Sequence, residues 1–417
     1  MLENIKSRII INKIFEYLIK IIKLKLLKHN KSIKGKINIE LKDYIYFKLL
    51  KDFNNKYDSN IDNTDIGELN LEYKTIRNSG LRYLAQISFN NLKQIIFSEN
   101  EISNIGTILP TNFNFDNLEI LSFEHNHIKD LTILTKCNFK KLKVLNLDHN
   151  ALSDIKIFSQ IKLPKLEKLI LSGNTISDLT VLSEISFDYL KELILNRNMI
   201  ENIDVIEKFK MDRLEKLDLC VNKIADIKVI EKLPFKYLRI LDLYFNRITD
   251  ISPLEKTNLE KLEKLNLSCN KLENIDILEN AKFNELKELY LKESNENQDI
   301  EMPLFNNFKN LEILDLSYDN ISEIQINQEK EQLINLRILK LNSNQIDNLE
   351  FLKNLDLKEL KELDLNCNQI SDINVLEEVK FGNLDKLDIR YNKIDLEEDE
   401  PKINVLKYKI KELKYKD

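Results

Sequence analysis

Glycine and proline are scarce in this chain, with six of each among 417 residues, and tryptophan is absent. So few glycines leave little room for flexible linkers or for the glycine-rich loops that cradle phosphate groups. The sequence contains no P-loop, GxGxxG, GxSxG or HExxH pattern. We therefore predict a protein that is not an enzyme and that needs no cofactor.

Long apolar runs are also missing. The most apolar stretch, residues 9–27, is interrupted by Lys13, Glu16, Lys20, Lys23 and Lys25, whereas a membrane-spanning helix needs about 20 predominantly apolar residues. The same charges break the apolar core that a secretory signal would require. We predict a cytoplasmic protein with no membrane span, whose four cysteines are reduced.

Charge is unevenly distributed along the chain. Residues 1–36 hold ten Lys and Arg against two Glu, a net +8, so a total of −6 leaves −14 for the remainder. No lipidation motif and no nucleic-acid-binding module accompanies the basic segment. We expect neither a membrane nor a nucleic acid as its partner.

A repeat dominates the rest of the sequence. LKVLNLDHN, residues 142–150, returns after 24 residues as LEKLILSGN and again as LKELILNRN. The alternation of Leu145 and Leu147 predicts a short strand with one buried face. Because a long crossover links successive strands, they must run parallel and share one stacked core. The pattern predicts about 14 units between residues 61 and 396.

An asparagine ends almost every unit. The chain must turn inward after the strand, which buries backbone groups that have no strand partner, and an asparagine side chain supplies both donors and an acceptor. We predict a ladder of stacked asparagines: Asn100, Asn126, Asn150, Asn174, Asn198, Asn222, Asn246, Asn270, Asn344, Asn368 and Asn392. Lys74, Ser294 and Asp319 hold the same position in the other units, and the irregular stretch 292–307 predicts a protruding loop.

This pattern resembles that of leucine-rich-repeat proteins, from residue 66 to about 396. The resemblance implies an α/β fold, a horseshoe-shaped solenoid with a parallel sheet on its concave face, and protein binding by that face. We predict a basic helical segment at 1–60, the solenoid at 61–396 and a cap at 397–417. The cap should contain an amphipathic helix with Val405, Leu406, Ile410 and Leu413.

The basic segment has two interpretations. Its apolar residues Ile14, Phe15, Tyr17, Leu18, Leu24, Leu26 and Leu27, followed by Lys31, resemble an F-box. That resemblance implies a Skp-type adaptor as partner and a substrate-recognition role in a ubiquitin ligase, although the usual opening Leu-Pro and the later tryptophan are missing. Helical spacing of apolar residues fits a simple solenoid cap equally well.

Two other families share the repeat. The short units are also similar to the repeat regulators of a protein phosphatase, an analogy of fold and not of site. A secreted adhesin of the internalin kind would need an export signal, and the sequence has none that we recognise. We predict a non-enzymatic scaffold that binds a protein partner.

The residues between the strand leucines are mostly polar and should face solvent. The richest region combines aromatic side chains, which anchor interfaces, with aspartates, which favour a basic partner. We predict that the partner binds at Asp218, Asp242, Tyr244, Phe245, Tyr290, Asp315 and Tyr318. Alternatively, Phe245 and Tyr318, which directly precede the ladder position, pack partly against the turn.

Histidines and cysteines give weaker signals. His125 and His149 occupy one position in adjacent units and should lie about 5 Å apart, with Glu124 and Asp148 beside them. Because the sequence fixes no third ligand, we predict no metal site. Cys220 and Cys269 are two units apart, roughly 10 Å along the stack, which is beyond the reach of a disulfide.

Overall fold

The computed structural model describes residues 41–62, 64–106, 115–294, 307–324 and 333–416. The F-box-like residues and most of the predicted loop at 292–307 lie outside these ranges. The chain forms two compact units, residues 1–174 and 175–417.

The first unit begins with helix α1, Leu41–Tyr57, followed by β1 (Glu68–Asn70) and α2 (Arg77–Leu84). Four further strands complete its described part: β2 (Gln94–Ile96), β3 (Ile120–Ser122), β4 (Val144–Asn146) and β5 (Lys168–Ile170). Short 3-10 helices at Thr132–Lys136 and Lys156–Gln160 separate the last three strands.

The second unit contributes ten strands to the described residues. They are β6 (Glu192–Ile194), β7 (Lys216–Asp218), β8 (Ile240–Asp242), β9 (Lys264–Asn266), β10 (Glu288–Tyr290), β11 (Ile313–Asp315), β12 (Ile338–Lys340), β13 (Glu362–Asp364), β14 (Lys386–Asp388) and β15 (Glu412–Lys414). Its α-helices are α3 (Thr180–Glu184), α4 (Asn374–Glu378) and α5 (Glu400–Lys409). Its 3-10 helices are Asp204–Lys208, Lys228–Lys232, Ser252–Lys256, Asp276–Asn280 and Glu350–Asn354.

The strands of each unit pair in chain order, and every pair is parallel. The central residue of each strand is apolar and, except for Leu413 in β15, is buried; Leu169 and Leu265, for example, have no exposed surface. Since side chains alternate along a strand, its first and third residues face away from the core. The parallel repeat predicted from the sequence is confirmed.

Phenylalanines fill the core beneath the crossovers. Phe115 and Phe139 lie 5.5 Å apart between ring centroids, and Phe283 and Phe308 lie 6.3 Å apart. All four side chains are buried. Such pairs bury large apolar areas and favour tilted or offset rings, which explains why short 3-10 helices suffice to cover the sheet.

The asparagine of each repeat ties neighbouring turns together. The Nδ2 of Asn222 donates to the carbonyls of Leu219 (3.0 Å) and Cys220 (3.2 Å) in its own turn and to that of Leu195 (3.1 Å) in the preceding repeat. Its Oδ1 accepts the backbone N–H of Ile200 at 3.0 Å. One side chain thus satisfies backbone groups that the inward turn removes from water.

The residue before each asparagine has a left-handed backbone, which we did not predict. The same holds before Lys74, Ser294 and Asp319, and we call all these positions the left-handed row: Tyr73, Glu99, His125, His149, Gly173, Arg197, Val221, Phe245, Cys269, Glu293, Tyr318, Ser343, Cys367 and Tyr391. The thirteen residues other than glycine have φ between 46° and 66°. This backbone costs about 1–2 kcal/mol for a residue with a Cβ, and the hydrogen bonds of the following asparagine offset it.

Both ends of the described chain carry helices with buried side chains. Leu50 and Phe53 of α1 are buried, and the hydroxyl groups of Tyr57 and Ser79 lie 3.2 Å apart between α1 and α2. In α5, Ile403 and Leu406 are buried. The predicted C-terminal helix ends earlier than expected, because Leu413 lies in β15, which pairs with β14.

Candidate functional site

The open face of the second unit carries two aspartates on adjacent strands. Asp218 ends β7 and Asp242 ends β8, and the two residues are register partners. The register partners that follow Asp242 on β9 and β10 are Asn266 and Tyr290. The parallel register therefore brings two of the three predicted acidic residues side by side.

Backbone hydrogen bonds fix both carboxylates. Oδ1 of Asp218 accepts the N–H of Cys220 at 3.2 Å, and Oδ1 of Asp242 accepts the N–H of Tyr244 at 3.0 Å. One oxygen from each aspartate and the Sγ of Cys220 all lie within 4.8 Å of one another. Burial raises the pKa of Asp242, and the negative charge of Asp218 raises it further.

Most other charged side chains on this face have an opposite charge close by. Lys264 Nζ lies 2.7 Å from Glu288 Oε2, and Arg390 Nη2 lies 2.7 Å from Asp388 Oδ2. Asp218 has only a long contact of 3.8 Å with Lys216. Within the part of the chain that the structure describes, no lysine or arginine forms an ion pair with Asp242. The aspartate pair therefore concentrates incompletely compensated negative charge.

Two aromatic side chains adjoin the aspartates. The rings of Tyr244 and Phe245 are tilted by 40° with centroids 5.9 Å apart. Phe245 belongs to the left-handed row, and 54% of it is exposed. The pKa of Tyr244 is raised mainly by a hydrogen bond with the thiol of Cys269 and, to a smaller extent, by partial burial, so its hydroxyl keeps its proton.

The other two predicted aromatic residues hold cations. Tyr290 donates its hydroxyl to Glu288 Oε2 at 3.0 Å, and Lys264 Nζ lies 4.7 Å from its ring centroid. Tyr318 is 50% exposed, with Lys292 Nζ 4.9 Å from its ring centroid. Phe245 and Tyr318 are three repeats apart, roughly 15 Å at the usual strand spacing. The predicted aromatic residues therefore fall into two groups: Tyr244 and Phe245 beside the aspartate pair, and Tyr290 and Tyr318 beside lysines.

Asp315 is placed differently from our expectation. It is only 6% exposed, and its Oδ1 accepts hydrogen bonds from the hydroxyl (2.5 Å) and the backbone N–H (3.1 Å) of Ser317. These bonds hold the turn after β11, and the other carboxylate oxygen, Oδ2, lies 3.8 Å from Lys340 Nζ. The sequence pattern did not reveal this burial.

The histidine pair of the first unit is stacked. The rings of His125 and His149 lie 4.2 Å apart at an angle of 12°, and His149 Nδ1 lies 2.8 Å from Asp148 Oδ1. One ligand atom from each of these three residues lies within 4.8 Å of the others. Asp148, which the sequence places beside the histidines without fixing it as a ligand, therefore joins the pair.

The four cysteines are unpaired, and Cys367 is exposed. Burial raises the pKa of the Cys137 thiol to about 12. The pKa of the Cys220 thiol is also raised, mainly by burial and in addition by the negative charge of Asp218. Among the described residues, no helix is long and apolar enough to span a membrane.

Comparison with known proteins supports the repeat assignment. Residues 140–184, 236–280 and 334–378 match the family model described as leucine-rich repeats in two copies. An internalin of Listeria monocytogenes is 24% identical, over 83% of this chain and 92% of its own, with a TM-score of 0.60. A repeat protein of Leptospira interrogans is 27% identical, over 88% and 98% respectively, with a TM-score of 0.64. No curated protein matches the chain.

Proposed function

We propose that this leucine-rich-repeat chain is a non-enzymatic scaffold that binds a protein partner on the open face of the sheet. The binding surface is centred on Asp218, Asp242, Tyr244 and Phe245, with Tyr290 and Tyr318 at its periphery. We also propose that the protein is intracellular and that its cysteine thiols are reduced.

The observation that carries this proposal is the aspartate pair. Two carboxylates on adjacent strands repel each other, and Asp242 is half-buried, which raises its pKa. A positively charged group placed between them would remove the repulsion and favour the ionised form of Asp242. A basic side chain of a partner protein has the charge and the reach for this position.

The aromatic residues supply the apolar part of the same surface. Phe245 exposes 54% of its side chain beside the Tyr244 ring. Arginine stacks on aromatic faces and pairs with carboxylates at the same time, and aromatic residues are frequent hot spots of interfaces. We therefore expect the partner to insert an arginine beside Asp242 and to cover Phe245.

The experiment compares partners captured by the full chain and by matched variants. Asp218→Asn with Asp242→Asn removes both charges while keeping the side-chain shape, and Phe245→Ala removes the apolar anchor. Lys156→Glu, in the 3-10 helix Lys156–Gln160 on the opposite side of the repeat, is the control for a change of charge.

The proposal predicts that a partner retained by the wild type and by Lys156→Glu is lost from both surface variants. With the purified partner, Phe245→Ala should weaken binding by more than about 1 kcal/mol, as interface anchors do. If the surface variants retain every partner of the wild type, this face is not the binding surface.

The F-box alternative can be tested in the same experiment. Residues 1–60 should not be deleted as a block, because Leu50 and Phe53 of α1 are buried. Deletion of residues 1–40 leaves α1 in place. Capture of a Skp-type adaptor by the full chain, and its loss on this deletion, would favour the ubiquitin-ligase role. Capture of a phosphatase by the repeats would favour the regulatory role.

A further inference from the structure

We propose that His125, Asp148 and His149 form a binding site for a divalent transition-metal ion, with zinc as the most suitable. The site lies in the first unit and does not depend on the protein-binding surface described above. Its three side chains come from the turns after β3 and β4.

The distances suit a small cation. Because one ligand atom from each residue lies within 4.8 Å of the other two, a point exists that is no more than about 2.8 Å from all three, and zinc bonds to nitrogen and carboxylate oxygen measure about 2.0–2.2 Å. His125 is exposed and His149 is partly exposed. The nitrogen lone pairs lie in the ring planes, and the two rings are stacked at 12°, so both accessible side chains must tilt toward each other to face one cation, as zinc ligation requires.

The donor set selects the kind of metal. Two imidazole nitrogens with one carboxylate oxygen suit zinc, copper and nickel, whereas magnesium and calcium prefer oxygen ligands. A further carboxylate is near, since Glu99 Oε1 lies 3.7 Å from His125 Nδ1. Glu99 or a water molecule would complete a tetrahedral set, and the negative charges of Glu99 and Asp148 would favour a cation.

A glycine in the next repeat makes room for the His149 ring. Gly173 occupies the left-handed row, where the other thirteen repeats have residues with a side chain, so the backbone alone does not require glycine. A Cβ at position 173 would lie 2.7 Å from Cγ and Nδ1 of the His149 ring. Gly173 therefore leaves the space that the His149 ring occupies, and it acts as a positioning residue for this ligand.

The test is a titration of the metal-free full chain with Zn²⁺ by calorimetry, together with the visible spectrum of the Co²⁺ form. We expect one equivalent to bind, and we expect His125→Ala and His149→Ala each to weaken binding by at least about tenfold, since even residues behind the ligands commonly contribute tenfold or more. His127→Ala is the matched control, because His127 is exposed two residues away and takes no part in the cluster.

Two further variants show whether these three side chains, in this arrangement, hold the metal. Gly173→Ala keeps all three ligands but displaces the His149 ring, so it should weaken Zn²⁺ binding and alter the Co²⁺ spectrum although every donor is present. Cys220→Ser removes the thiol of the second cluster, Asp218–Cys220–Asp242, and should leave the titration unchanged. Binding that survives His149→Ala, or that is lost with His127→Ala or Cys220→Ser, would overturn the proposal, as would the absence of Zn²⁺ binding by the wild type.

Discussion

Replacing Asn222 by leucine should test how strongly the asparagine ladder holds the repeats together. The amide group makes three donor contacts, to Leu195, Leu219 and Cys220, and accepts one bond from the N–H of Ile200. Its two N–H groups share the three carbonyls, so about three hydrogen bonds are lost. At roughly 1 kcal/mol of net stability for each bond, Asn222→Leu should lower the free energy of unfolding by about 2–4 kcal/mol.

Asn392 offers a matched comparison near the end of the described repeats. Its Nδ2 contacts the carbonyls of Leu365 (3.0 Å), Ile389 (3.1 Å) and Arg390 (3.2 Å), and its Oδ1 accepts the N–H of Ile370 at 3.0 Å. Its side chain is more exposed than that of Asn222. Water can replace some of the lost partners there, so Asn392→Leu should cost less, about 1–2 kcal/mol.

Urea-induced unfolding followed by circular dichroism measures both losses, and the slope of the transition shows whether unfolding remains cooperative in each variant. Asn222→Ser is a useful intermediate, because a hydroxyl group restores one donor and one acceptor. Equal and negligible losses at positions 222 and 392 would refute the view that these side chains satisfy buried backbone groups. A larger loss at 392 than at 222 would contradict the role of burial.

Three other outcomes are expected. Burial raises the pKa of Asp242, so the folded state holds the proton of this carboxyl group more tightly than the unfolded state does. The contribution of Asp242 to stability therefore falls as the pH rises above its ordinary pKa. Asp242→Asn should raise the melting temperature at neutral pH. A thiol reagent should label exposed Cys367 quickly and Cys137, whose pKa is about 12, only on unfolding; equal labelling rates would contradict this. Gly382→Ala should destabilise the fold by about 1–3 kcal/mol in a thermal melt, because its Cβ would clash with the Lys358 carbonyl.

The sequence predicted the repeat well because the repeat depends on local periodicity. Leu145 and Leu147 alternate as a half-buried strand requires, and both are fully buried. Asn150 ends the strand and donates to the carbonyls of Leu147 (3.1 Å) and Phe123 (2.9 Å). These positions are dictated by side-chain type at fixed spacing, which a single sequence displays directly.

The left-handed row could not be predicted in the same way. Val221 and Phe245 are residue types that rarely adopt positive φ, so local propensity predicts an ordinary extended or turn conformation for them. The tertiary hydrogen bonds of the next asparagine override that preference. The burial of Asp315 was missed for a related reason, because its bonds to Ser317 depend on the conformation of the turn.

The sequence suggested which residues form the candidate surface, but not that the aromatic residues separate into two groups. The register brings Asp218 and Asp242 together, as a repeat of constant length implies. The cations over Tyr290 and Tyr318 come from long lysine side chains, Lys264 and Lys292, whose rotamers the sequence does not specify. Pairwise geometry of flexible side chains therefore marks the limit of prediction from sequence.

The left-handed row also bears on how such a protein changes over time. The N–H of a row residue bonds to the neighbouring turn, as from Phe245 to the carbonyl of Ser268 at 2.9 Å and from Val221 to that of Tyr244 at 2.7 Å. These bonds do not involve the side chain, so the fold accepts acidic, basic, aromatic and small residues there alike. If the open face is the recognition surface proposed above, single substitutions along the row change what is offered to a partner without removing the backbone hydrogen bonds that hold the turns.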